Sequence, residues 1–160
     1  MFGFRIDRYG TSMESVIMDQ SEQTRTVVMD LLQRVAAGDP AKIAELYAEN
    51  VTWKLGWPEE EIGGSVPWIR RRSTRADVED HYRTLSELHV LGETTAEVAA
   101  VLVDGPDAAV VGELGQTLRA NGVHYRAEFI LYLSVSDGLI TRHHIIEDNL
   151  AVKRAYDTAA

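Results

Sequence analysis

A histidine and a carboxylate stand four residues apart twice near the end of this chain, His143 with Glu147 and His144 with Asp148. On an extended strand that spacing puts both members of a pair on one face. An imidazole titrates near neutrality, and a nearby carboxylate raises its pKa or orients its ring, so either pair holds the parts of a proton-transfer unit. The same spacing also fits a hydrogen-bonded structural histidine on a sheet wall. Glu113 is a further candidate acid or base. Val110, Leu114 and Leu118 mark the opposite parity as the apolar face of its strand, so Glu113 points outward unless a bulge near Gly112 or Gly115 re-aims it. Turned into apolar surroundings, its pKa would rise. Tyr47, Trp53, Tyr82, Tyr125 and Phe129 offer flat walls for a planar ligand, with Trp57 and Trp68 at the mouth; aromatics so placed also serve simply as core. Leu131 and Ile145 are expected beside them. His143 and His144 point to opposite faces of one strand and no triad of ligands has metal spacing, so no metal site is expected.

The elements that must position these groups are legible as changes of period. Val27, Val28, Leu31, Leu32 and Val35 recur at three and four residues from Ser21, and Gly38 closes that helix. Asp39-Pro40 opens a shorter helix with Ile43, Leu46 and Tyr47 as its stripe. A strand over Val51 to Leu55 follows, and then a loop from Gly56 to Ser73 long enough to form a rim. Ser73 or Thr74 with Asp77 caps a third helix to about His89, on which His81 reads as solvated. Strands are expected over Glu93–Val103 and Ala108–Arg119, joined by Asp104-Gly105-Pro106. From His124 to Val135 the residues alternate strictly, and Leu139 to Asp148 runs back along them, with turns at Asn121-Gly122 and Ser136-Asp137-Gly138. A three-residue loop at Gly138 pairs Leu131 with His143 and sends His143, Ile145 and Glu147 inward. A two-residue turn at Asp137-Gly138 sends His144, Ile146 and Asp148 inward instead.

At 160 residues the chain fits one domain with a sizeable core. Residues 1–20 read as a flexible extension and 21–160 as the folded domain. A formal charge of −9 opposes nucleic acid and anionic membrane surfaces as partners. The run Arg70-Arg71-Arg72 with Arg75 breaks that balance and reads as a solvated loop, with an anion site as the alternative. There is no cysteine, hence no disulfide and no thiol nucleophile. With no signal-like or membrane-length apolar run, the expected location is the cytoplasm.

Taken in order, Gly38-Asp39, Leu46 through Trp53, Val66-Pro67-Trp68, Glu113-Leu114-Gly115, Asn121-Gly122, Tyr125, Asp137 through Ile140 and Glu147 through Leu150 resemble the nuclear-transport-factor-like cone fold. Within it they resemble SnoaL-like polyketide cyclases and ketosteroid-isomerase-related proteins. The resemblance implies an α+β fold in which a curved antiparallel sheet wraps three N-terminal helices around a cone-shaped pocket. It implies a cofactor-independent cyclase, isomerase or dehydratase of secondary metabolism acting on a small hydrophobic, polyketide-like molecule. It also implies a homodimer through the outer sheet face, where His124, Ile130 and Tyr132 lie. The alternatives are a non-catalytic binding protein and an epoxide hydrolase with displaced residues. The tyrosine and two aspartates of ketosteroid isomerases would fall on Leu31, Leu55 and Leu131, and the hydrolase carboxylate on Ile145, so neither mechanism transfers as it stands. His143 with Glu147, and Glu113, remain the catalytic candidates.

Overall fold

In the computed structural model, which describes residues 9–64 and 66–158, four helices and five strands alternate as α1 (Tyr9–Ala37), α2 (Pro40–Ala44), β1 (Tyr47–Leu55), α3 (Arg75–Leu88), β2 (Thr95–Asp104), β3 (Asp107–Thr117), β4 (His124–Ser136), β5 (Leu139–Glu147) and α4 (Asn149–Asp157). The helix expected from Ser21 begins at Tyr9, so residues 9–20 are helical rather than a loose extension; residues 1–8 lie outside the described residues. Helix α1 is tied to the β2–β3 turn, where Thr24 Oγ1 donates to the Gly105 carbonyl at 2.8 Å and Gly105 N–H donates to Ser21 Oγ. Helix α2 stops before Leu46, because the Leu46 carbonyl already accepts from Ile140 N–H. Strand pairing thus claims Leu46 and Tyr47 from the helix they extend on paper. Thr74 caps α3 in a reciprocal box with Asp77. Helix α4, which the alternating pattern before it did not announce, is capped by Asp148. It packs on β4, and Asn121 donates to the carbonyls of Ala155 and Thr158.

The sheet order is β1-β5-β4-β3-β2. Strands β2 to β5 form the expected antiparallel meander, but β1 pairs with β5 in parallel, so the sheet is mixed. A parallel neighbour needs a long crossover, and here the whole of α3 and three strands intervene.

The last hairpin combines features of both expected registers. Asp137 and Gly138 both have positive φ, at 52° and 76°, and Ser136 pairs with Leu139, the signature of a two-residue turn. That turn alone would send His144 inward. Between the Val135–Ile140 and Ser134–Arg142 pairs, however, Thr141 is left without a partner. The bulge restores parity, so Leu133 faces His143, Leu131 faces Ile145 and Phe129 faces Glu147 on the inner side. His143, Ile145 and Glu147 therefore point inward as the favoured register implies, two residues further along β4.

Inside the cone, Val28, Leu31, Tyr47, Val110, Leu131, Leu133 and Ile140 pack into one core. A second core near α4 gathers Trp57, Trp68, Tyr125 and Val152. Each fully buried aliphatic side chain contributes about 1.5–3 kcal/mol. Among the described residues no helix is long and apolar enough to cross a membrane.

Candidate active site

Parallel pairing sets Trp53 on β1 directly beside His143 on β5. Their rings stack with centroids 3.9 Å apart and planes 1° from parallel. On its ring edge His143 meets the Tyr47 hydroxyl, which lies 2.9 Å from Nδ1. His143 is 2% exposed, and burial pushes its pKa down to about 3, with the charges of Arg72 and then His144 acting the same way. The imidazole is uncharged at neutral pH, so one ring nitrogen carries a proton and the other accepts, and Nδ1 shares one hydrogen bond with the Tyr47 hydroxyl.

Helix α3 supplies a second buried imidazole. His81 meets the Trp53 indole edge-on at 4.9 Å, and burial, reinforced by Arg72 and His143, holds its pKa well below the usual value. Its Nδ1 and the indole Nε1 of Trp53 are both buried without a hydrogen-bond partner among the described residues. Native interiors rarely leave such groups unpaired, so these two mark a place built for something else. The solvated reading of His81 is overturned: it sits three residues after Val78 and four before Leu85, on the helix's buried stripe, a signal available from spacing alone.

Arg72 completes the cluster. Its guanidinium lies 5.7 Å from the Trp53 ring centroid. Nε donates to the Asp77 carbonyl, and Nη1 to the carbonyls of Trp68 and Arg70. The run that reads as a solvated loop therefore hides one of its three arginines in the core, and nothing in a string of like charges announces which.

The paired imidazole and carboxylate of the sequence do not form one unit. His143 and Glu147 share a face but stand four residues apart, roughly 13 Å along the strand, and belong to different neighbourhoods. Glu147 accepts from Trp57 Nε1 at 3.2 Å. Burial raises its pKa, Asp148 adds to the rise, and the Trp57 bond opposes it. Glu113 is on the outer face, paired with Glu97 and Glu128 across the sheet and bound to Arg126. The bulge that would have re-aimed it lies instead on β2, at Ala99. Glu113 is thus no partner for either inward group.

The aromatic candidates divide in the same way. Trp53 lines a cleft; Tyr47, Leu131, Tyr82 and Ile145 belong to or pack against the first core. Trp57 and Trp68 are not at a mouth but buried in the second core with Tyr125. There Tyr125 meets His89, a buried histidine that the sequence reading passed over; its Nδ1–H donates to Leu85 and its Nε2 lies 3.1 Å from the Tyr125 hydroxyl. Phe129 leans on Gly112, where any Cβ would crowd its ring.

The cleft beside Trp53 has a volume of about 620 Å³, within the range of small-molecule sites. Its lining combines Trp53, Leu55 and Ile62 with Arg70, Arg71 and Arg72. It lies where the 56–73 segment returns to β1, joined by the bond from Val51 N–H to the Ser73 carbonyl. Two uncharged imidazoles behind an indole wall can take or relay a proton. Arg72 and the free indole N–H can stabilise negative charge that develops beside them.

An open five-stranded mixed sheet packed with helices gives the chain the α+β cone fold of NTF2-like proteins. The chain belongs to the SnoaL-like domain family, whose profile matches residues 28–143. No curated protein matches it in sequence. Among solved structures it is similar to an NTF2-like protein from Burkholderia thailandensis, with 19% identity and a TM-score of 0.71 over 84% of this chain and 98% of that one. It is also similar to a candidate isomerase from Bacillus subtilis, at 17% identity and a TM-score of 0.72 over 88% and 96% of the two chains. A candidate ketosteroid isomerase from Kribbella flavida shares 25% identity and a TM-score of 0.57 over 79% and 78%.

Proposed function

We propose that the protein is a cofactor-independent cytoplasmic enzyme of secondary metabolism, an isomerase, cyclase or dehydratase that takes a hydrophobic, polyketide-like molecule into the cleft beside Trp53. The observation that carries this reading is the pair of buried, uncharged imidazoles, His81 and His143, flanking an indole whose N–H is unpaired. In this reading His81, whose Nδ1 has no partner among the described residues and whose ring meets Trp53 edge-on, is the proton acceptor. His143, already held by Tyr47, acts through Trp53 as a positioning residue. For ring closure, holding the reacting carbons in a near-attack pose can lower the barrier more than any single acid or base.

The test is deuterium uptake from heavy water, or ring closure, in a panel of 1,3-diketones and β-keto esters, read by mass spectrometry. Turnover is expected to fall by about a hundredfold in His81→Gln while calorimetry still shows the ligand bound. A second reading, a non-catalytic binding protein, draws on the Tyr47 bond that already occupies His143 Nδ1. Binding without turnover in the unaltered protein would establish it. The reading also includes a homodimer through the outer sheet face, where Val98, Ile130 and Ile146 are exposed together. Sedimentation equilibrium should give twice the chain mass, and Ile130→Glu the monomer's.

A further inference from the structure

We propose that the cleft beside Trp53 binds the carboxylate of a small, otherwise apolar acid, with the Arg70–Arg72 run as its anion site. The proposal rests on the cleft being the substrate's place, as in the function above, and adds the substrate's chemical class.

The charges around the cleft run against those of the rest of the chain. Lys54, Arg70, Arg71 and Arg72 line it against two carboxylates, Glu59 and Asp77, a local excess of two positive charges in a protein whose net charge is −9. Neither carboxylate is free to neutralise the floor. Asp77 accepts from the backbone N–H groups of Ser73 and Thr74 and from the Thr74 hydroxyl, all of which cap α3. Glu59 is engaged with Arg71 at the rim.

Arg72 is the fixed member. Its side chain is 2% exposed, and three of its five N–H groups are held by backbone carbonyls. Carbonyls orient a guanidinium without cancelling its charge. The only carboxylate it meets among the described residues is Asp80, at 3.5 Å from Nη2, and that carboxylate also lies 3.8 Å from Arg70 Nη1. One Nη2 hydrogen is left over. A buried cation held this way and under-neutralised favours an anion arriving from outside, because the cost of removing its water has already been met by folding. Arg70 and Arg71 line the same cleft with side chains 46% and 74% exposed; Arg70 is held by the Pro67 carbonyl and the Thr84 hydroxyl and Arg71 by Glu59, and both add positive charge beside Arg72.

Trp53, Leu55 and Ile62 line the same cleft, and the Trp53 ring lies against Arg72. Apolar and cationic lining together suit a molecule with a flat hydrophobic body and a single negative end.

Isothermal titration of the full chain with 2-naphthoate and with its uncharged counterpart 2-naphthamide tests this. The acid is expected to bind about tenfold or more tightly than the amide, the size of a charge-assisted hydrogen bond. That preference should shrink by about tenfold in the double variant Arg70→Gln/Arg71→Gln, in which both altered side chains are exposed and Arg72 keeps its structural bonds. Equal binding of the two ligands, no binding of the acid, or a preference that survives the double variant would each overturn the proposal. Preference for the acid without turnover of any acid leaves the anion site standing and sinks the catalytic reading; turnover of neutral substrates with no preference does the opposite.

Discussion

Three buried histidines with depressed pKa values, His81, His89 and His143, give the protein a built-in sensitivity to acid. His143 is protonated at about 3 in the folded state but near 6.5 when unfolded, so below about pH 6.5 the unfolded chain binds the extra proton. Stability is complete above that value and lost as pH falls towards 3. At about pH 5 the loss from His143 is about 2 kcal/mol, and His81 shifts in the same direction. Urea unfolding at about pH 7.5 and about pH 5 should show this difference, and His143→Gln, whose amide can still bond Tyr47, should reduce it, with His81 and His89 keeping the remainder. An unchanged pH slope in that variant would mean that His143 is charged when folded. A second residue-level expectation concerns Gly112. A methyl there would collide with the Glu97 carbonyl across the β2–β3 pair and press on Phe129. Gly112→Ala should lower thermal stability by about 1–3 kcal/mol. At Gly115 the obstacles are the ends of the Thr95 and His124 side chains, which can turn away, so Gly115→Ala should cost clearly less.

At the scale of elements, the strands and turns were legible because each carries its own local signal: alternation in β4, glycine at the reversals, the Thr74–Asp77 cap on α3. The departures come from tertiary pairing that no local window contains. Leu46 and Tyr47 continue a helical stripe, yet β5 bonds the Leu46 carbonyl and pairs with Tyr47, the first residue of β1. Helix α4 follows a strand with only Asp148 to announce it. Thr141 matters most. The turn residues and the inward histidine point to opposite registers, and one unpaired residue reconciles them, which neither the turn chemistry nor the alternation reveals. Of the candidate site, Trp53 and His143 were found, His81 was available from its spacing but read as solvated, and Arg72 was hidden in a run of like charges. Deleting Thr141 should keep the turn and leave Ile140 opposite Val135 and Arg142 opposite Ser134, so β5 becomes a regular strand with His143 and Ile145 still inward. Exchange protection along β4 and β5 should persist in the deletion variant. A deletion variant that exposes His143 would refute the parity argument.

At the scale of the molecule, a cationic cleft lies in a chain of net charge −9, and the outer sheet face is partly apolar. The stacked Trp53–His143 pair beside the cleft depends on β1 lying next to β5, and that pairing has a consequence in time. Tyr47 and His143 are 96 positions apart in the chain, whereas β2 through β5 join neighbours by short turns. Closing so long a loop costs more entropy than forming hairpins, so the meander should assemble first and β1 dock onto its finished edge. On a ribosome the cleft cannot exist until nearly the whole sequence has emerged. In refolding by stopped-flow, the far-ultraviolet strand signal should rise before Trp53 reaches its final emission, because the ring it stacks on belongs to the last strand made.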